Sequence, residues 1–165
     1  MVLPRYNPRM ETLTLSDYEA LAELRYQIRR FLSFSEQAAR GAGLEPRQHQ
    51  LMLALKGLPA NSRPTIGEVA ERLQIQHHSA VELVNRLVAA GHIRRTRAGE
   101  DRREVLLSLT PKGERVLRQL SLHHRTELRA AGPALVTALR KAMQVSRASN
   151  GTRTKAGVGK RRSAS

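Results

Sequence analysis

Apolar residues recur every three or four positions in two short segments of the chain between Thr65 and Gly91. The first segment, TIGEVAERLQI, begins with Thr65 and has Glu68 three residues later, which predicts a capped amphipathic helix. The second segment, HHSAVELVNRLVAAG, has a matching apolar stripe and ends at Gly91, a common helix stop. About three residues around Gln74 to Gln76 separate the segments, as a tight helix-turn-helix requires. We therefore predict two short helices that pack together across this turn.

The periodicity changes from helical to alternating directly after Gly91. Residues 92–97 and 105–109 alternate in polarity, which predicts two short strands. The segment Ala98–Arg103 lies between them and is expected to form a turn. Five arginines and three acids fall in the eleven residues from Arg94 to Glu104, and a hairpin tip cannot bury them. They therefore face either solvent, as an ordinary charged hairpin, or a polyanion.

Helical patterns also precede this central unit. Ser16 followed by Glu19 predicts a capping box at the start of a long first helix. The run Gly41-Ala42-Gly43 interrupts that pattern, and a second helix is expected from about Pro46. The segment 57–64 is expected to form a loop.

Further helices are expected after the second strand. Thr110 can cap a fifth helix whose first residue is Pro111, a favoured position for proline. The pair Gly132-Pro133 predicts a break, with a sixth helix after it. The predicted fold class is mainly α with a small β-hairpin.

The string AGHIRRTRAGEDRREVLLSLTPKG resembles the wing signature of the MarR family of bacterial transcription regulators. The residues that carry the resemblance are Asp101, Arg103, Leu107, Leu109, Thr110 and Gly113. The layout from about Tyr18 to Met143 also fits the family's six helices and one wing. The resemblance implies a winged helix-turn-helix DNA-binding lobe at about 45–110 and a helical dimerisation region at about 16–42 and 110–146. Together these form a MarR-like domain at 16–146, preceded by an N-terminal extension at 1–15. Residues 147–165 lack apolar periodicity and are expected to be a disordered basic tail.

The resemblance implies that the second short helix enters the major groove of DNA with its N-terminus first, where free N–H groups and the helix dipole favour acceptors. The expected reading residues there are Gln76, His77, His78 and Ser79. The expected contacts to the backbone and to the adjacent minor groove are Arg86, Arg95, Arg97, Arg102 and Arg103. Two such units in a homodimer would read a pseudo-palindrome in duplex DNA.

Three positions depart from the usual pattern of helix-turn-helix proteins. Gln74 occupies the turn position where glycine is common, and Val81 and Glu82 occupy positions that are often polar or basic. Glu82 can accept from a cytosine amino group, repel phosphate, or pair with Arg86 four residues later. The general role implied by the resemblance is therefore better supported than any individual base contact.

Small-molecule control is the usual mode of the MarR family, and it implies a ligand between the dimerisation helices and the DNA-binding lobe. The candidate lining residues are Tyr26, Phe31, Phe34, His49 and Met52. At this spacing each of them is more often part of an ordinary apolar core, because clefts and cores share composition. The chain is thus expected to be a ligand-responsive repressor.

The net charge of +15, with six Lys or Arg and no acid in residues 147–165, favours nucleic acid as a partner and predicts salt-dependent binding. All five aromatic residues lie within the first 34 positions. The central unit therefore has no platform for stacking unpaired bases, which favours duplex DNA. The charge also leaves open an alternative function, a non-specific DNA-packaging winged-helix protein.

Several classes of function lack support in the sequence. The chain has no cysteine, and the adjacent pairs His77-His78 and His123-His124 would point about 100° apart on a helix, so no metal or cofactor is expected. There is no phosphate loop and no nucleophile with an evident base, so no enzymatic activity is expected. No apolar run approaches the ~18 residues of a membrane span, and we expect a cytoplasmic protein.

Overall fold

The computed structural model describes residues 13–97 and 105–148. Five helices and two strands follow one another in this part of the chain. They are α1 (Leu15–Gly41), α2 (Pro46–Lys56), α3 (Ile66–Leu73), α4 (His77–Ala89), β1 (Ile93–Arg97), β2 (Val105–Leu109) and α5 (Pro111–Ala148). This arrangement confirms a mainly α fold with a small β-hairpin. Contacts divide the described residues into one compact unit within 29–132 and another formed by 13–28 with 133–148.

The hairpin is antiparallel, with a register that runs from Ile93 opposite Leu109 to Arg97 opposite Val105. Ile93 and Leu107 are buried on its inner face, as the alternation of polarity requires. The N–H of Leu107 also donates to the carbonyl oxygen of Pro64 at 2.7 Å, so the loop before α3 is attached to β2. The expected turn at Ala98–Arg103 lies outside the described residues.

The unit at 29–132 has a continuous apolar core supplied by all seven elements. Its buried members are Ala39, Leu44, Leu51, Met52, Leu55, Val69, Leu83, Val84, Leu87, Ile93, Leu107, Leu117 and Leu120. Each large member contributes roughly 1.5–3 kcal/mol relative to an exposed position. This core holds α3, α4 and the hairpin in one rigid lobe.

The start of α1 differs from the expectation. The helix begins at Leu15, and its cap is formed by Thr14 and Asp17 rather than by Ser16 and Glu19. The carboxylate of Asp17 accepts from both the N–H and the hydroxyl of Thr14 at 2.7 Å. Asp17 is shorter than Glu19 and can close this reciprocal pair two residues earlier, so the predicted capping box is wrong.

The expected break at Gly132-Pro133 is also wrong, because Pro133 lies inside the continuous helix α5. A proline normally disfavours the helical conformation of the preceding residue, chiefly through a clash with that residue's Cβ and N–H. Gly132 has no Cβ and open space around it, so much of this clash is absent. Five helices are therefore observed in the described part of the chain, and not six.

Candidate nucleic-acid interface

The turn between α3 and α4 is closed by backbone hydrogen bonds around Gln74. This residue has φ 53° and ψ 43°, a left-handed conformation, and its N–H caps the carbonyls of Ala70 and Glu71. The N–H of Ile75 donates to the carbonyl oxygen of Ala70 at 3.1 Å. Glutamine in this conformation costs about 1 kcal/mol relative to glycine. The tight turn predicted at Gln74 to Gln76 is therefore present, although its sequence is unusual.

Only one of the two hydrogen bonds of the capping box predicted at Thr65 and Glu68 is present at the start of α3. The hydroxyl of Thr65 accepts from the N–H of Glu68 at 3.2 Å, as expected for an N-cap. The carboxylate of Glu68 accepts from Nε of Arg72 at 2.9 Å instead of reaching back to Thr65. The helix is therefore capped at one donor and braced by an ion pair along its outer side.

The N-terminus of α4 is open to the surface. Gln76 is its N-cap residue and makes no side-chain cap. His77 and His78 are exposed and Ser79 is half-buried. The first N–H groups of a helix have no partner within the helix and carry a partial positive charge. These four predicted reading residues therefore surround donors that are available to an acceptor on DNA.

The outer face of α4 contains a polar residue that the sequence analysis missed. Asn85 is exposed, seven residues after His78 and three after Glu82, and its Oδ1 accepts from a guanidinium N–H of Arg95 at 2.6 Å. This bond connects β1 to α4. The helical spacing from His78 was the signal that could have identified Asn85. Arg86 is exposed on the same helix.

The arginines of β1 all lie at the surface. Arg94 donates from Nε to the hydroxyl of Ser108 at 2.9 Å, and Arg95 is held by Asn85. Arg97 is exposed at the last position of β1. The other predicted wing contacts, Arg102 and Arg103, lie outside the described residues. The described part of the hairpin thus presents three guanidinium groups at the surface, and the guanidinium group of Arg95 is bonded to α4.

The start of α5 fastens the hairpin to the end of α4. The hydroxyl of Thr110 donates to the carbonyl oxygen of Gly91 at 2.6 Å and accepts from the N–H of Gly113 at 3.1 Å, which confirms Thr110 as an N-cap. Lys112 donates from Nζ to the carbonyl oxygen of Ala90 at 2.8 Å. A Cβ at Gly113 would lie 3.1 Å from the carbonyl carbon of His92 and closer still to its oxygen. The glycine therefore permits α5 to approach the β1 backbone directly.

Three of the five candidate ligand residues converge on a buried histidine. The rings of Phe31, Phe34 and His49 lie 6.1, 5.9 and 4.9 Å from the ring of His124 between centroids. Met52 is fully buried in the core. Tyr26 is exposed and belongs to the other compact unit. His124 was missed, although it lies four residues after Leu120 on the apolar face of α5.

Burial favours the neutral form of both stacked histidines. Burial, and then the proximity of His124, lower the pKa of His49 to about 4. Burial and then His123 also lower the pKa of His124. The Nε2 atoms of both rings are buried and have no hydrogen-bond partner among the residues that the structure describes. Each of these nitrogens can still accept or donate one hydrogen bond.

Other kinds of site find no support in the described segments. No three His, Cys, Asp or Glu side chains converge at residues 13–97 and 105–148 in a way that could hold a metal ion. Within the same residues, no helix has the length and apolar character needed to span a membrane.

Comparison with known proteins shows what this lobe is similar to. A MarR family model matches residues 42–104. Similar solved structures include AbsC, a MarR family transcriptional regulator from Streptomyces coelicolor, with 21% identity, a TM-score of 0.65, and coverage of 82% of this chain and 94% of that one. RV1404 from Mycobacterium tuberculosis has 21% identity, a TM-score of 0.63, and coverage of 87% and 99%.

A mutant of MepR from S. aureus, bound to an oligodeoxyribonucleotide, has 17% identity, a TM-score of 0.59, and coverage of 77% and 98%. At these identities the likenesses show the fold. No curated protein sequence matched the chain. The family model lies on the helix-turn-helix lobe, and the fold of MarR regulators extends over most of the chain. Residues 42–104 therefore match the MarR family of transcription regulators, and the described residues have the winged helix-turn-helix fold of solved MarR family structures.

Proposed function

We propose that the protein is a sequence-specific transcription regulator that binds pseudo-palindromic duplex DNA as a homodimer and responds to a small molecule as a repressor. The observation that carries the proposal is that one lobe exposes both the open N-terminus of α4 and the three arginines of β1, of which Arg95 is bonded to Asn85 of α4. This combination offers base-reading groups and phosphate-binding groups on one lobe. The structure of the MepR mutant bound to an oligodeoxyribonucleotide supports DNA as the partner.

In this proposal α4 binds the major groove of DNA, and the hairpin binds the phosphate backbone and the adjacent minor groove. Gln76, His77, His78 and Ser79 reach base edges and nearby phosphates in the major groove. Asn85 has its Oδ1 occupied by Arg95, so its amide N–H₂ is the group that remains to meet an acceptor on a base. Arg86 and Arg97 contact the phosphate backbone, and Arg102 with Arg103 approaches the adjacent minor groove.

Dimerisation is supported by apolar surface on the unit that contains the first part of α1 and the last part of α5. Large apolar side chains are exposed there that a single copy leaves in water. They are Leu15, Tyr18, Leu21, Tyr26, Val136, Leu139 and Met143. Exposed apolar residues that cluster on a helical unit mark a protein interface. A second copy of the chain is the partner that would also supply a second reading helix.

DNA binding is tested with the duplex upstream of the protein's own gene, at fixed salt and with random duplex as competitor. We expect a footprint with two half-sites about one helical turn apart. His78→Ala should reduce the protein's preference for the upstream duplex over the random competitor. Arg97→Ala should instead weaken binding to both duplexes and lower the slope of log affinity against log salt concentration by about one. Arg47→Ala, an exposed position on α2, is the matched control. Equal binding to both duplexes by the native protein would reject sequence-specific regulation.

An effector site is supported by the cluster of buried His49 and His124 with half-buried Phe31 and Phe34. Two aromatic rings, and two imidazole nitrogens that have no hydrogen-bond partner among the described residues, suit a flat aromatic compound that carries a hydroxyl or carboxyl group. A panel of small phenols and aromatic acids should raise the Tm and release the DNA. His49→Phe should keep the fold and lose both responses. No response to the panel in either readout would contradict this part of the proposal.

A non-specific packaging function is the second candidate, and the net charge of +15 favours it. Phosphate attraction alone gives binding without sequence preference. The same competition experiment separates the two functions, because packaging requires equal affinity for all duplexes. The open reading end of α4 favours the regulator.

A further inference from the structure

Four exposed arginines lie along one face of α5, away from its buried side. They are Arg115, Arg118, Arg125 and Arg129, and we call them the α5 arginine stripe. Their spacings of three, seven and four residues keep them on one side of a helix. Leu117, Leu120 and His124 are buried on the opposite side. The stripe is about 21 Å long at the rise of an α-helix.

The positive charge of this stripe is not compensated within the described residues. Elsewhere in the same unit, arginine pairs with glutamate four residues earlier, as in Arg40 with Glu36 and Arg72 with Glu68. The one acid three or four residues from any member of the stripe is Glu114, before Arg118. The carboxylate of Glu114 is engaged by Nζ of Lys56 at 2.7 Å.

Like charges at such spacings also destabilise a helix. The pair Arg115 and Arg118 and the pair Arg125 and Arg129 each cost roughly 0.2–0.5 kcal/mol. A bound polyanion would remove this repulsion and replace it with attraction. The stripe is therefore better suited to a partner of opposite charge than to water alone.

We propose that the α5 arginine stripe binds the phosphate backbone of a second DNA duplex, so that the protein links two DNA segments. Guanidinium groups pair with phosphate through two parallel hydrogen bonds. A duplex segment as long as the stripe carries about twelve phosphates. The stripe contains no aromatic side chain on which unpaired bases could stack, which favours a duplex over a single strand.

The position of the stripe distinguishes this surface from the reading residues. Thr110 and Lys112, at the start of α5, bind the backbone at Gly91 and Ala90, which follow the C-terminal end of α4. The reading residues surround the other end of this helix of 13 residues, about 20 Å away. The inference rests on the proposed function for the first duplex, which α4 and the hairpin bind, and adds a separate surface for the second.

The test uses the full chain, a biotin-labelled duplex from upstream of its own gene, and a fluorescent random duplex of equal length. Beads that carry the first duplex capture the second only when the protein links them. The test variant is Arg125→Gln/Arg129→Gln, and the control Arg29→Gln/Arg47→Gln removes the same charge from exposed positions on α1 and α2. Affinity for a single duplex is measured separately by fluorescence anisotropy, and folding is checked by circular dichroism.

The expected result is a loss of capture by the test variant, with single-duplex affinity within twofold of the control. At about 0.1 M salt, each lost phosphate contact reduces binding of the second duplex roughly tenfold. Equal capture by the test variant and the control would overturn the proposal. A loss of single-duplex affinity as large as the loss of capture would also overturn it, because the stripe would then bind the first duplex. Binding of poly-glutamate, a model of an acidic protein, is measured with the same variants. If the test variant captures the second duplex normally but no longer binds poly-glutamate, the stripe binds an acidic protein and not DNA. Failure of the native protein to bind any single duplex would reject the proposed function.

Discussion

Replacement of Gly113 by alanine tests the close approach of α5 to the β1 backbone. The new Cβ would lie 3.1 Å from the carbonyl carbon of His92 and closer to its oxygen, and that oxygen already accepts from the N–H of Thr110 at 3.0 Å. Within a helix, alanine is more favourable than glycine by about 1 kcal/mol of folding free energy. Overpacking costs typically 1–3 kcal/mol, and displacement of the His92 carbonyl weakens a hydrogen bond worth about 1 kcal/mol. We expect a net loss of about 1–3 kcal/mol in the free energy of unfolding.

Urea denaturation at fixed protein concentration measures this loss, and Gly67→Ala provides the matched control. Gly67 lies in the first turn of α3, as Gly113 lies in the first turn of α5. A Cβ at Gly67 meets only the Thr65 hydroxyl at 3.8 Å, an ordinary contact. Gly67→Ala should therefore stabilise the protein by up to about 1 kcal/mol. If both substitutions stabilise to the same extent, α5 does not approach β1 as described.

Three further predictions concern His49, Gln74 and the link between Arg95 and Asn85. Because the pKa of His49 is lowered to about 4, the unfolded chain binds more protons below pH 6.5. Stability should fall as pH drops from about 6.5 to 4, by up to about 3 kcal/mol, and a slope unchanged in His49→Phe would contradict this. Gln74→Gly should raise the free energy of unfolding by about 1 kcal/mol, and a decrease would reject the left-handed turn. A double-mutant cycle of Arg95→Ala and Asn85→Ala should give a coupling of about 0.5–1 kcal/mol in the free energy of unfolding. A coupling of zero would contradict a stabilising hydrogen bond between these two residues.

The sequence predicts the lobe well because each of its elements combines a local signal with a matching apolar pattern. Helix α5 shows both signals. The cap at Thr110 and the following proline define its start, and the buried residues Leu117 and Leu120 form its apolar face. The hairpin follows from alternation, and its register follows from the need to bury Ile93 and Leu107 on one face.

The failures occurred where two local signals compete. Thr14 and Ser16 are both suitable caps, and only the contacts of Asp17 decide between them. Gly132-Pro133 has the composition of a break, but the missing Cβ of the glycine also makes the pair compatible with a helix. Asn85 and His124 were missed because their significance depends on partners from distant segments, Arg95 and His49.

The distribution of charge in the lobe separates affinity from selectivity. The exposed part of α4 carries Glu82 and Arg86 beside two histidines, so its formal charge is near zero at neutral pH. Positive charge is concentrated instead on β1, where Arg94 and Arg95 have their guanidinium groups positioned by hydrogen bonds. Phosphate contacts set affinity and its salt dependence, whereas contacts to base edges set selectivity. The salt slope should therefore follow substitutions in the hairpin, and the choice of sequence should follow those at the start of α4.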